Sequence, residues 1–119
     1  MAESIVATKA SAFALRIVKL HKYLTMKAPI KEYVMSKQVL RSGTSVGANI
    51  EEALRGQSRA DFAAKMNISL KEACETRYWL TLLRDSEYIE SSAAQSILKD
   101  CDEIIIILKS IVKSTNEKR

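Results

Sequence analysis

Apolar residues recur along the chain at intervals of three and four, in four long stretches separated by short polar breaks. Spacing of this kind places apolar side chains on one face of an α-helix. The pattern therefore predicts helices over about residues 3–27, 30–55, 59–85 and 91–115. Since short connections make successive helices antiparallel neighbours, we expect an all-α chain that folds over residues 1–119 as one up-down-up-down antiparallel four-helix bundle.

Residues with special backbone properties mark the predicted breaks. Pro29 follows closely after the first helix, and Gly56 suits the C-terminal end of the second. Ser58, with Asp61 three residues later, forms a weak capping box for the third helix. The chain has only three glycines and one proline, which favours long helices over β-rich or loop-rich folds.

Several predicted helices carry apolar residues on a second side, away from the main apolar row. A small bundle has no interior for a second stripe, so this surface is expected to contact another subunit. The sequence therefore predicts a homo-oligomer. The residues outside the main rows are Ile5, Leu15, Met26, Ile68, Trp79, Leu82, Leu83 and Ile106.

Hydropathy and cysteine content bear on cellular location. The longest apolar run, Ile104 to Leu108, is too short to span a bilayer, and no basic region followed by an apolar block marks a signal peptide. Cys74 and Cys101 fall inside predicted helices, where buried, reduced thiols are expected. These features predict a cytoplasmic protein that makes no membrane contact.

The positive charge of the chain is concentrated in its first half. The formal net charge is +5, and residues 1–50 hold eight Lys and Arg against Glu3 and Glu32 alone. A basic region of this kind indicates an anionic partner, nucleic acid being the commonest, although an ordinary solvated basic face is the alternative. A row on helix 1 and two arginines around the helix 2–3 turn suit phosphate contacts. The candidate residues are Lys9, Arg16, Lys19, Lys22, Lys27, Arg55 and Arg59.

Aromatic residues do not interleave with these cations as they do in proteins that stack single-stranded bases. Tyr23 and Tyr33 are the nearest candidates, and we expect both to be partly buried packing residues. No helix-turn-helix or zinc-finger spacing is present either. The sequence thus favours contacts with phosphates over readout of bases.

Gly43-Thr44-Ser45-Val46-Gly47 fits the G-x-S-x-G pattern of a hydrolase nucleophile elbow. That elbow requires a preceding strand and a histidine after the serine, whereas no strand precedes Gly43 and the single histidine, His21, comes first. Each helix-interior glycine costs about 1 kcal/mol relative to alanine, a cost that close helix packing would offset. We therefore interpret Gly43, Val46, Gly47 and Ile50 as a helix-packing face, with a kink or break near residues 42–44 as the alternative, and expect no catalytic residue.

Metal and cofactor chemistry finds little support in the sequence. One histidine and two helix-interior cysteines do not make a metal-ligand set, and the paired Glu-x-x-His motifs of di-iron bundles are missing. We expect no cofactor and no metal. Polar and charged residues on helices 2 and 3 are instead expected to link those helices, and Arg77 to be partly buried. The predicted linking residues are Arg41, Asn49, Glu52, Glu75 and Arg77.

Two segments resemble a known family. They are Leu40–Ala53, LRSGTSVGANIEEA, and Lys71–Leu80, KEACETRYWL. Together they are similar to the bacterial four-helix bundle protein family, also called the large-subunit rRNA intervening-sequence protein family, over nearly the whole chain. In many members the first motif closes with a Glu-Gly pair, where this chain has Glu52-Ala53 and a later Gly56. The departure suggests a subgroup.

The resemblance implies a bundle that assembles as a ring, with a pentamer as the expected count. A similar protein, the accessory variability protein of diversity-generating retroelements, forms a basic pentameric barrel that binds nucleic acid and a reverse transcriptase. The resemblance brings no catalytic residues. Two hypotheses therefore stand: a non-enzymatic homo-oligomer that binds RNA or DNA phosphates through its basic surface, and a structural module that docks a protein such as a polymerase.

Overall fold

The computed structural model describes residues 1–27 and 29–117 of the chain. Four helices follow one another: α1 (Ala2–Met26), α2 (Val34–Leu54), α3 (Arg59–Asp85) and α4 (Ser91–Glu117). Each packs against its neighbours in sequence, and α1 closes the bundle against α4. The body measures 51 × 22 × 19 Å. The predicted all-α four-helix bundle is confirmed; residue 28, within the first predicted break, lies outside the described residues.

Contacts between helices show that neighbours run in opposite directions. Near the C-terminal end of α1, His21 meets Ser36 at the start of α2, whereas nearer the N-terminus of α1 Ala10 lies beside Gly47. Between α2 and α3, Ser69 donates a hydrogen bond to the carbonyl of Val46 and Thr76 donates one to the hydroxyl of Ser42, both at 2.8 Å. Between α1 and α4, Lys9 meets Glu103 and Arg16 meets Asp100. The chain therefore goes up, down, up and down, as the short connections predict.

The second helix begins at Val34, about one turn later than the apolar pattern predicts. Lys31 has a positive φ of 44°, so the chain turns before the helix can start. The buried carboxylate of Glu32 then accepts hydrogen bonds from the first backbone N–H groups of α2, those of Val34 and Met35 at 3.0 Å and of Ser36 at 2.8 Å. This cap could not be predicted from the sequence, because glutamate is not among the usual capping residues.

Apolar side chains from all four helices fill the centre of the bundle. Phe13, Ile17, Met66 and Leu108 are among the largest that are fully buried. Leu83, which the helical pattern placed outside the main row, is fully buried as well. Its position on α3 lies at the edge of the apolar stripe, which is wider than a single row.

The two cysteines differ, contrary to the prediction that both are buried. Cys101 is buried on α4, with its Sγ 3.4 Å from the carbonyl of Ala73, and burial raises the pKa of its thiol to about 12. Cys74 is exposed on the outer side of α3. It follows buried Ala73 directly, and one residue turns a helix by about 100°.

The glycine motif lies in the middle of α2 and forms its contact with α1. A Cβ built on Gly43 would stand 2.9 Å from both Cγ atoms of Ile17, whereas one on Gly47 would stand 3.7 Å from Ala10. Val46 and Ile50 are fully buried beside them. Gly43 thus allows close packing of α1 on α2, and Gly47 has ordinary van der Waals room.

Candidate nucleic-acid interface

The basic row predicted on α1 is partly neutralised by α4. The ammonium group of Lys9 lies 3.3 Å from the carboxylate of Glu103. Arg16 lies 2.6 Å from the carboxylate of Asp100 and also donates a hydrogen bond to the hydroxyl of Ser96, at 3.1 Å. These two cations link α1 to α4, so they are poorly placed to hold phosphates. The sequence could not show this because the carboxylates come from the far end of the chain.

Arg41 is a third cation of the basic half that has carboxylate partners. It lies 3.2 Å from Glu72 and forms a short contact with Glu75, both on α3. The hydrogen bond to Glu75 is the main cause that raises the pKa of Arg41. As predicted, this arginine and Glu75 connect α2 with α3, and they do so on the surface of the bundle.

The remaining five cations of the first fifty residues are all lysines and all exposed. None of them forms an ion pair within residues 1–27 and 29–117. We call them the lysine surface. Its members are Lys19, Lys22, Lys27, Lys31 and Lys37.

Contacts between the end of α1 and the start of α2 bring these lysines to one end of the bundle. His21 lies 3.2 Å from the backbone carbonyl of Ser36, and the N–H of Glu32 donates to the carbonyl of Leu24 at 2.7 Å. Lys22 directly follows His21 in the sequence, and Lys37 directly follows Ser36. Glu32 is the single acid between residues 19 and 37, and its carboxylate is buried in the cap of α2. Positive charge therefore dominates this end of α1 and α2.

Lys31 and Lys37 were absent from the predicted set. They precede and follow the first turn of α2, and the predicted helix boundary near residue 30 gave no reason to group them with helix 1. The signal that could have found them is simple: five lysines and one acid lie within residues 19–37.

Arg55 and Arg59 lie at the opposite end of the molecule. They flank the connection from α2 to α3, and both are exposed. Arg59 lines an open hollow of about 360 Å³ that also involves Ala2 and Glu3 at the start of α1. Because the body is 51 Å long, these arginines and the lysine surface form separate positive regions.

The other predicted linking residues divide between two outcomes. Glu52 connects α2 to α3 through Lys65, at 2.7 Å. Asn49 instead donates to the carbonyl of Ser45 in its own helix, at 2.9 Å, so it forms no link between helices through this bond. Its position one turn after Ser45 makes the local bond the nearest one available.

Arg77 also departs from the prediction. It is exposed, and it pairs with Asp102 on α4 at 2.7 Å where we expected a partner on α2. That interaction is the main cause that raises the pKa of Arg77. Arg77 lies on the surface of α3, on the side toward α4, which accounts for both its exposure and its partner.

Trp79 and Glu75 extend the surface network around Arg41. The indole N–H of Trp79 donates to the carboxylate of Glu75 at 3.0 Å, and the Tyr78 ring lies edge-on to the indole with centroids 5.3 Å apart. The hydrogen bond from Trp79, followed by that from Arg41 and its charge, lowers the pKa of Glu75. This network fixes the α2–α3 surface and contains no obvious nucleophile or acid–base pair.

Metal binding finds no further support in the geometry. Within the described part of the chain, no three histidine, cysteine or carboxylate side chains are grouped so that they could hold a metal ion. None of the helices described is long and apolar enough to cross a membrane.

Comparison with known proteins identifies the family of the chain. The model of the 23S rRNA-intervening sequence protein family matches residues 2–110. The chain belongs to this family. The resemblance seen in its two sequence motifs is thereby confirmed.

A solved structure shares this fold closely. It is the 1.70 Å crystal structure of a protein with unknown function, described as a member of the S23 ribosomal protein family, from Bacteroides thetaiotaomicron VPI-5482. The two chains are 55% identical, with a TM-score of 0.90, and the match covers 95% of this chain and 99% of the other. A search of curated proteins found no match. Family membership thus establishes the fold and leaves the function open.

Proposed function

We propose that this protein binds the phosphates of RNA or DNA, as a homo-oligomer, and catalyses no reaction. The observation that supports binding is the lysine surface, whose five exposed ammonium groups have no carboxylate partners in the described chain. Lysines act as flexible point charges toward phosphate, which suits contact with a backbone of any sequence. Membership of a family named after an rRNA intervening sequence is consistent with such a ligand.

The proposal makes binding strongly dependent on salt. Each phosphate that a lysine neutralises releases a counterion, so the slope of log affinity against log salt is close to −0.9 per contact on duplex DNA. Five contacts from one protomer correspond to a slope of about −4 to −5. An oligomer that presents several lysine surfaces to one strand would have a steeper slope and a higher apparent affinity.

Charge reversal tests the location of the site. Lys19→Glu, Lys22→Glu and Lys37→Glu together remove three of the five cations without touching Lys9, Arg16 or any other ion pair. We expect affinity to fall at least about tenfold, and the slope of log affinity against log salt to become smaller in magnitude by about 3. Fluorescence anisotropy with labelled RNA and duplex DNA measures both quantities.

A matched control has the same change in charge elsewhere. Lys99, Lys109 and Lys113 are exposed on α4, and among the described residues they too lack ion pairs, but three acids lie between the first two of them. Their conversion to glutamate should change the salt slope by less than about 1. Equal losses in the two triple variants would show that overall charge, and not the lysine surface, attracts the ligand.

Self-association is supported by the outer face of α1. From residue 4 to 15, the exposed side chains on this face are uncharged apart from Lys9 at its edge, and Leu15 is 56% exposed. Its members are Ser4, Ile5, Thr8, Ser11, Ala12 and Leu15. Small and apolar side chains on a continuous surface are typical of a contact between subunits.

A ring is the assembly that the family resemblance implies, with five copies as the expected number. Light scattering should give a mass that is a multiple of the 13.3 kDa protomer. Leu15→Lys places a charge in the proposed contact and should shift the mass toward 13.3 kDa. A wild-type mass of one protomer would contradict self-association.

A further inference from the structure

Tyr23 was expected to be a packing residue, but its side chain is 41% exposed in the middle of the lysine surface. It lies on the last turns of α1, between Lys22 and Lys27. The ammonium group of Lys27 is 5.6 Å from the centroid of its ring. An exposed aromatic ring beside cations is the combination that sequence alone did not reveal.

Two hollows meet at this ring. The first, of about 570 Å³, is open between α1 and α4, and the second, of about 630 Å³, lies between the α1–α2 connection and the α3–α4 turn. Tyr23, Ile89 and Glu90 line both of them. Tyr23 therefore borders open space on two sides of α1, while Lys27 lies over its ring.

Both apolar and charged side chains line the first hollow, Arg16 among them. Leu20, Ile89 and Ile97 provide apolar walls, while Lys19 lies at the side toward the lysine surface. Glu90 adds a carboxylate, which would repel a phosphate placed inside the hollow. An occupant that complements this arrangement inserts a flat, uncharged group with hydrogen-bond donors and leaves its negative charge outside on the lysines.

We infer that Tyr23 stacks an unpaired base of a single-stranded nucleic acid, while Lys19, Lys22 and Lys27 hold the adjoining phosphates. The inference rests on the proposed phosphate binding and narrows its ligand to strands with accessible base faces. Bases stack on aromatic side chains regardless of sequence, because every base has a flat π-face. The carboxylate of Glu90 is placed to accept a hydrogen bond from an amino group of the base.

A duplex cannot use this site, since its base faces are already stacked on one another. It can still bind the lysines through its phosphates. Single-stranded and duplex ligands should therefore differ in their dependence on Tyr23 and share their dependence on the lysine surface.

Three probes separate stacking from phosphate contact: a labelled single-stranded RNA of about 12 nucleotides, a strand of the same length without bases, and the corresponding duplex. Anisotropy titrations should show that the wild-type protein binds the single strand more tightly than the strand without bases. Tyr23→Ala should weaken binding of the single strand by about 5- to 150-fold. The same substitution should change binding of the other two probes by less than about twofold.

Tyr33→Ala is the matched control. Tyr33 is also a tyrosine near the lysines, 57% exposed, but it lines neither hollow. Its replacement should leave all three affinities unchanged. Tyr23→Phe, which keeps the ring, should retain the wild-type affinity for the single strand.

The outcomes distinguish the two proposals. If the wild-type protein binds the strand with bases and the strand without them equally, the stacking inference is wrong and phosphate binding stands. Equal loss for all three probes in Tyr23→Ala would also overturn stacking. If no probe binds at about 50 mM salt, phosphate binding itself fails. The comparison of probes on the wild-type protein needs no variant and does not depend on how Tyr23→Ala folds.

Discussion

Cations on the middle of the bundle and cations at its α1–α2 end have different surroundings. In the middle, Arg41 meets Glu72 and Glu75 on α3, and Arg16 meets Asp100 on α4. At the end, the lysine surface has no carboxylate partner among the residues described. The same basic half of the chain thus supplies charges that connect helices and charges that remain available.

This difference indicates which charges the fold does not need. A solvent-exposed ion pair contributes about 0.2–1 kcal/mol, so the pairs of the middle add modest stability and help to define which helices are neighbours. Five lysines gathered at one end repel each other and weaken the compact state slightly. The nearest acid along the chain, Glu32, is used to cap α2. Lysines that form no ion pair remain available to a ligand.

The largest effect is expected from Glu32→Ala, which disturbs the end of the bundle without removing a lysine. Three backbone N–H groups at the start of α2 would lose their acceptor, and loss of a helix cap costs about 0.5–2 kcal/mol. We expect a loss near the upper limit because the site is buried. Urea unfolding measures it, and weaker RNA binding should accompany it because Lys31 and Lys37 flank the cap.

Glu51→Ala is the control for this change. Glu51 is exposed on the same helix, and the described part of the chain shows no hydrogen bond or ion pair for its side chain. Its removal should alter stability by less than about 0.5 kcal/mol. If Glu32→Ala proved as mild as Glu51→Ala, the cap would not be what fixes the start of α2.

The next effect concerns the seam between α1 and α2, in the middle of the bundle. Gly43→Ala would place a Cβ 2.9 Å from the branched carbons of Ile17, and overpacking of this kind costs about 1–3 kcal/mol. Alanine has a better helix propensity than glycine, which offsets up to about 1 kcal/mol of this cost and leaves a net loss of stability of about 1 kcal/mol. Gly47→Ala, with 3.7 Å to Ala10, should be neutral or stabilising by up to about 1 kcal/mol.

Binding measurements sharpen the contrast between the two regions. Folded Gly43→Ala protein should bind RNA with wild-type affinity, since the substitution lies in the buried contact with Ile17 and removes no lysine. Opposite signs for the two glycines in the free energy of unfolding would separate a required glycine from a tolerated one. If both substitutions lowered the free energy of unfolding by equal and large amounts, the packing of α2 against Ala10 would be tighter than the 3.7 Å separation indicates.

Periodicity predicted the helices well because burial of one face dominates their stability. It misplaced Leu83, which is fully buried, whereas the glycine motif predicted both the contact between α1 and α2 and the family. Periodicity could not predict whether a cation forms an ion pair, because that depends on residues distant in sequence. Nothing near Lys9 or Arg16 in sequence shows that Glu103 and Asp100 will lie opposite them.

The start of α2 and the exposure of Tyr23 escaped prediction for related reasons. An apolar spacing continues through Ile30 and Val34, but the positive φ of Lys31 and the side chain of Glu32 delay the helix. Tyr23 lies at the boundary of the apolar stripe, where its exposure depends on how closely α4 approaches α1. Local pattern cannot fix such an approach, because packing across the whole bundle determines it.

The smallest expected effect concerns the Arg41–Glu75–Trp79 network, and it has a definite pH dependence. The folded-state pKa of Glu75 is lowered, mainly by the hydrogen bond from Trp79 and then by Arg41. Its contribution is therefore complete above the unfolded value of about 4.3 and disappears as pH falls through the lower folded value. Glu75→Gln should cost at most about 1 kcal/mol at neutral pH, because the site is partly exposed. Urea unfolding should show that the difference in stability between the wild type and Glu75→Gln shrinks as pH falls below about 4. The control Glu51→Gln should show no such trend. If the loss of stability in Glu75→Gln stayed constant with pH, the charge of Glu75 would not stabilise the α2–α3 surface.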